Sequence, residues 1–126
     1  MGDLTPNFSA SEFACKCGCD KAGLDERLPS MLQQLRDTLG RSVSITSGIR
    51  CASHNRSVGG VSNSSHVQGI AADISTYNSA DRGEKLKAAI EVGFFYIGIG
   101  KDFLHLDLRP SESLIVFDYY VANHVA

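Results

Sequence analysis

The chain has 126 residues, 43% of them hydrophobic and 21% charged, with a net charge of −2 at neutral pH. That length suits one domain with a single apolar core, expected over residues 1–126, and the absence of a basic block excludes attraction to nucleic acid or an anionic membrane by charge alone. No apolar run approaches the ~20 residues of a membrane span. The opening Met1-Gly2-Asp3-Leu4-Thr5-Pro6-Asn7 lacks the basic and apolar segments of a secretory signal peptide. A monomer made in the cytoplasm is the expectation, and a substrate outside it would have to be reached by other means.

In chain order, Phe8 and Phe13 read as anchors of an irregular amino-terminal arm, and Ser9-x-x-Glu12 as a capping box for a short helical turn. Leu28, Met31, Leu32, Leu35 and Leu39 fall at helical spacing, so a helix is predicted from Asp25, as N-cap, to Leu39, with Gly40 ending it. Val43–Ser47 alternates like a short strand. A Gly-, Ser- and Asn-rich loop follows from Gly48 to Ser65, with one helical turn near Ala52–Ser57. Ile70–Ser75 reads as a buried strand and Ala80–Val92 as a second helix with Ser79 as N-cap and Leu86, Ala89 and Ile90 facing inward. Phe94–Ile99 and Phe103–Leu108 are predicted strands joined by a tight turn, and Leu114–Val121 a last one. Strands mixed with segregated helices imply an α+β domain, a small antiparallel sheet with two main helices.

The chemistry concentrates in Ser64-Ser65-His66-Val67-Gln68-Gly69-Ile70-Ala71-Ala72-Asp73, with His105 downstream. Two imidazoles and a carboxylate are a ligand set for a catalytic Zn²⁺, because three protein ligands leave the fourth position open. Imidazole suits other divalent metals too. By the strand's period of two, Asp73 shares a face with Ala71, which is small enough to leave room beside it. A carboxylate inside Ile-Ala-Ala-Asp-Ile is costly to bury without a partner. The partner is a metal or, in the plainer reading, Arg50 or Arg109. Ser64 has two candidate roles, binding substrate or capping the loop. His54 reads as a loop-ordering residue and His124 as solvated.

The pattern Ser-x-His-x-x-Gly-x-Ala-x-Asp, with Asp102-x-x-His105 after it, resembles the zinc D-Ala-D-Ala carboxypeptidases, a family that also contains L-Ala-D-Glu endopeptidases. Thr46-Ser47-Gly48-Ile49-Arg50-Cys51, His54-Asn55, Val58-Gly59-Gly60 and the stretch from Phe8 to Cys19 resemble a short subgroup of bacteria and phages. The likeness runs over about residues 8–109. It implies the fold that those peptidases share with hedgehog proteins, and hydrolysis of peptidoglycan stem peptides by attack of metal-bound water. It implies His66, Asp73 and His105 as zinc ligands, Arg50 as the arginine that meets substrate near the scissile bond, and Asp102 as the catalytic base. In an unbroken strand Asp102 and His105 would face opposite ways, so the chain must bend near Lys101–Phe103. Asp107 is the rival base, or a supporting residue that orients a histidine. Delivery to the wall would be by phage lysis, a virion or dedicated export. A zinc-containing wall-binding, virion or secretion-associated module without turnover is the alternative function.

Cys15, Cys17, Cys19 and Cys51 leave three readings open: a second, structural zinc site, a disulfide from Cys51 to the amino-terminal arm, or reduced thiols. The single-residue gaps are tighter than the two to four of familiar zinc motifs.

Overall fold

The computed structural model describes residues 2–19, 21–61 and 64–119, so His124 and the end of the expected last strand lie outside the described residues. The elements run α1 (Ala10–Phe13), α2 (Arg27–Leu39), β1 (Ile45–Ser47), α3 (Ala52–Ser57), β2 (Ala71–Ser75), α4 (Ser79–Val92), β3 (Tyr96–Ile99), β4 (Phe103–Asp107) and β5 (Ile115–Asp118). The class is α+β, as expected.

Local chemistry explains most boundaries. The Glu12 carboxylate accepts from the Ser9 N–H at 2.7 Å and opens α1. Helix α2 starts at Arg27 with Glu26, not Asp25, as N-cap; the Asp25 carboxylate still accepts from the Arg27 N–H at 2.9 Å. Its end is a left-handed Gly40, φ 79°. Helix α4 differs from expectation at its start: Asn78, not Ser79, is the N-cap, its side chain accepting from the Asp81 N–H. Its inner face holds the expected Leu86, Ala89 and Ile90 and adds Ala88. Ala88 and Ala89 are buried as small packing residues, while Leu86 and Ile90 are only partly buried. Asp81 and Lys85 turn inward on the same helix because they neutralise each other.

The sheet has the order β1-β2-β4-β3-β5. The pairs β1–β2, β2–β4 and β4–β3 are antiparallel, but β5 lies parallel to β3, so the sheet is mixed and not antiparallel throughout. The reason is geometric. Asp107, the last residue of β4, pairs with Tyr96 at the start of β3, and Ile115 begins β5 opposite that same Tyr96. The chain passes over the end of β3 and sets off again from the same edge, which makes β5 follow the direction of β3.

One face of the sheet is the core. Ala72, Ile74, Ile97, Leu104 and Leu106 pack there with Phe8, Phe13, Leu28, Leu32, Leu35 and Phe94. Each fully buried Leu, Ile or Phe contributes roughly 1.5–3 kcal/mol. The other face carries the chemistry. A single register row crosses all five strands through Ser47, Asp73, His105, Gly98 and Phe117.

Candidate metal centre

Asp73 and His105 are direct cross-strand partners on β2 and β4, so the sheet itself sets their separation. His66 arrives from the loop before β2. The Ser64 Oγ accepts from the His66 N–H at 3.2 Å, and the His66 carbonyl accepts from Arg50 and Gly69. Gly69 adopts φ 73°, and a Cβ there would collide with the Gly23 carbonyl, so this turn requires glycine. His66 and His105 are fully buried and Asp73 is 8% exposed. One ligand atom from each of the three lies within 4.8 Å of the others.

The hydrogen bonds behind the two rings decide what they present to Asp73. His66 Nδ1 sits 2.8 Å from the Gly48 carbonyl oxygen, which can only accept, so Nδ1 carries the proton. His105 Nε2 sits 2.8 Å from Asp107 Oδ2, so in His105 the proton is on Nε2. In those tautomers His66 Nε2 and His105 Nδ1 turn to Asp73 Oδ1, at 3.2 and 2.9 Å. Three electron-rich atoms converge and require a cation among them, either a proton or a metal. Without a metal, burial opposes charge on Asp73, but its contacts with His105 and then His66 outweigh it and hold Asp73 well below the usual carboxylate range. Burial likewise opposes charge on His105, and its contacts with Asp107 and Asp73 raise its pKa. Two histidine nitrogens and a carboxylate oxygen, each aimed from a fixed ring or strand, fit Zn²⁺ and leave a coordination position free.

Around this trio the other expected residues take distinct places. Asp107 lies behind His105, with Oδ1 accepting from the Arg109 N–H at 2.8 Å, the position of a ring-orienting carboxylate. Arg50 is largely buried; its Nη2 is 3.7 Å from Asp73 Oδ2, and Nε and Nη1 donate to Ser47 and Asn55. Arg109 pairs with Asp107 and not with Asp73; it donates to Ser65 and Tyr96 and stacks on the Tyr96 ring. Ser64 is fully buried, its Oγ accepting from the His66 N–H as the cap of that turn. Asp102 is exposed in the bend between β3 and β4, where Gly100 N–H donates to the Phe103 carbonyl. It lines a cleft together with Asp73, Ser47, Thr76 and Tyr77. His54 lies in α3, apart from the trio.

The sequence reading missed the aromatic wall. Phe117 lies 6.2 Å, ring to ring, from His105, and 5.4 Å from Tyr119. Burial, then the negative charge of Asp73, pushes the Tyr119 phenol above its ordinary range. The signal was present in the spacing: Phe117 on β5 and Tyr119 just beyond its end are two apart, and both rings crowd Gly98, where a Cβ would lie 2.7 Å from each.

The sequence model of the family described as Peptidase M15 matches residues 6–107, which include the whole trio. The chain belongs to the Peptidase M15 family. That match agrees with the likeness to zinc D-Ala-D-Ala carboxypeptidase-like peptidases read from the motif. No individual curated protein matches the chain. Within this M15 chain, β5 begins after the matched residues, so the aromatic wall is built by residues beyond the matched segment.

Proposed function

We propose that this M15 family member is a zinc-dependent peptidase that hydrolyses peptidoglycan stem peptides, as a D-Ala-D-Ala carboxypeptidase or an L-Ala-D-Glu endopeptidase. One observation carries the reading: two imidazole lone pairs and a carboxylate oxygen converge from fixed partners within a chain of a peptidase family. His66, Asp73 and His105 would hold the ion. When bound, Zn²⁺ would polarise the scissile carbonyl and make water acidic enough to be deprotonated near neutral pH.

This chain's own residues account for the rest. Asp107 keeps His105 in the tautomer whose Nδ1 lone pair points into the site. Arg50, held by Ser47 and Asn55, provides a fixed cation for a substrate carboxylate or for the oxygen that gains charge during cleavage. Asp102, exposed on the cleft that Asp73 also lines, takes the proton of the attacking water and delivers it to the leaving amine. Phe117 and Tyr119 shield one side of the trio from solvent. Such substrates lie in the cell wall, so the protein acts there after lysis, as part of a virion, or by dedicated export.

Digestion of purified peptidoglycan, with chelator and zinc add-back and products read by mass, tests this. Zinc-dependent release of D-alanine is expected from a carboxypeptidase, and new amino termini at D-glutamate from the endopeptidase. A zinc-containing wall-binding module is the rival. If wild type binds zinc and wall yet releases nothing from several wall types, the rival holds; if Asp102→Ala alone does so, the peptidase stands.

A further inference from the structure

A second cluster of soft ligands lies outside the His-Asp trio. Two chain segments build it. In the amino-terminal arm, Cys15, Cys17 and Cys19 follow α1, and the Gly18 N–H donates to the Cys15 carbonyl at 3.1 Å, closing a turn with Gly18 at φ 83°. That turn is what lets cysteines separated by single residues face a common point. The other segment leaves β1. Its Ile49 N–H donates to the Phe13 carbonyl at 2.8 Å, and a Cβ on Gly48 would press on the Phe13 Cα at 2.6 Å. The two segments are therefore locked side by side, and Cys51 lies against the arm.

The outcome is four sulfurs within 4.8 Å of one another. Cys17 Sγ lies 3.4 Å from Cys15 Sγ and 3.5 Å from Cys51 Sγ. A tetrahedral ion with Zn–S bonds near 2.3 Å has sulfur-to-sulfur edges of about 3.8 Å, so this spread suits one ion at the centre. Backbone donors already point at two of the sulfurs: Cys51 N–H reaches Cys15 Sγ at 3.4 Å, and His54 N–H reaches Cys51 Sγ at 3.3 Å. Such N–H groups offset negative charge on thiolates, as supporting partners of metal ligands do.

We propose that Cys15, Cys17, Cys19 and Cys51 bind a second, structural Zn²⁺ as a tetrathiolate. All four positions are filled by protein, so this ion has no site for substrate. Its work is mechanical. It clamps the amino-terminal arm to the residue next to Arg50, whose own N–H is bound to the His66 carbonyl at 3.1 Å. The site shares no ligand with the trio.

The test is metal content of the full chain, purified without a histidine tag, incubated with zinc and desalted. Two zinc ions per chain are expected in the wild type. One is expected in Cys17→Ser, in Cys51→Ser and in His66→Ala, and none in Cys17→Ser combined with His66→Ala. Cys17 is exposed, so its replacement by serine leaves the melting temperature unchanged on a metal-free surface and lowers it by several degrees if a ligand is lost. A mercurial that caps thiols is expected to release one zinc from the wild type. A zinc count unaffected by Cys17→Ser, iron in place of zinc, or cysteines recovered as disulfides would each overturn the proposal. Loss of the trio's zinc reading would appear separately, as a count that His66→Ala leaves unchanged.

Discussion

Asp73 and Asp81 are both buried carboxylates, and the protein treats them in opposite ways. Asp81 is supplied with its own cations. Lys85 Nζ lies 2.9 Å from it and also donates to the Ser75 carbonyl, Arg41 pairs with its other oxygen, and the Tyr77 N–H donates at 3.0 Å. Lys85 in turn sits over the Tyr77 ring. Asp73 receives two imidazoles whose protons are held on the far side by Gly48 and Asp107, and an arginine no nearer than 3.7 Å. The closed network is a structural joint between α4 and β2. The other brings two ring nitrogens and a longer arginine contact to one carboxylate, a donor set that could hold a metal ion.

The largest effect should come from the Asp73 network. Asp73→Asn is expected to remove the trio's metal and with it wall hydrolysis, a loss well beyond the ~10–100-fold typical of supporting residues. His54→Ala should leave both unchanged; metal analysis beside a digestion assay checks the pair. Asp81→Ala should do the reverse. It strands Lys85 in the interior and is expected to cost about 3 kcal/mol of stability in urea unfolding, with metal content intact. Equal loss of metal in both variants would break the distinction. Asp107→Asn sharpens it, since the amide no longer fixes the His105 proton: metal affinity should fall about 10–100-fold, read by competition with a zinc chelator.

The smallest expected effect is a pH dependence. Burial works against charge on Asp81, but the hydrogen bonds from Lys85, the Tyr77 N–H and Arg41 outweigh it and lower its pKa. A carboxylate depressed in the folded state adds stability that is fully present above its unfolded value, about 3.9, and is lost as pH falls through the folded value. The stability gap between wild type and Asp81→Asn should therefore narrow in acid and stay constant above about pH 5, as followed by urea unfolding at a series of pH values. A gap that widens in acid would reverse the sign and remove Lys85 as the stabilising partner.

The elements were legible where periodicity was strong. The leucine stripe of α2 predicted that helix to within two residues, because burial on one face dictates residue type at fixed spacing, and the short buried runs of β2 and β4 predicted those strands to within one. The trio was legible because His66, Asp73 and His105 are types that can ligate a metal and lie in a pattern that resembles that of the zinc D-Ala-D-Ala carboxypeptidases. Less visible was the inward turn of Asp81 and Lys85, since charged residues on a helix read as its wet face until a partner is known. Ser64 was ambiguous for a similar reason: a hydroxyl beside a ligand reads equally as a cap and as a contact.

The sequence by itself determined the class of fold, the family and the residues able to hold a metal, because those depend on spacing along one chain. Tertiary structure alone decided the rest. Which way each imidazole's proton points depends on Gly48 and Asp107, one far away in sequence and one behind the ring. The parallel course of β5, which sets Phe117 and Tyr119 over Gly98, depends on where the chain re-enters the sheet. The meeting of Cys51 with an arm more than thirty residues earlier depends on how β1 packs against α1. Each is a relation between distant segments, and local composition does not encode it.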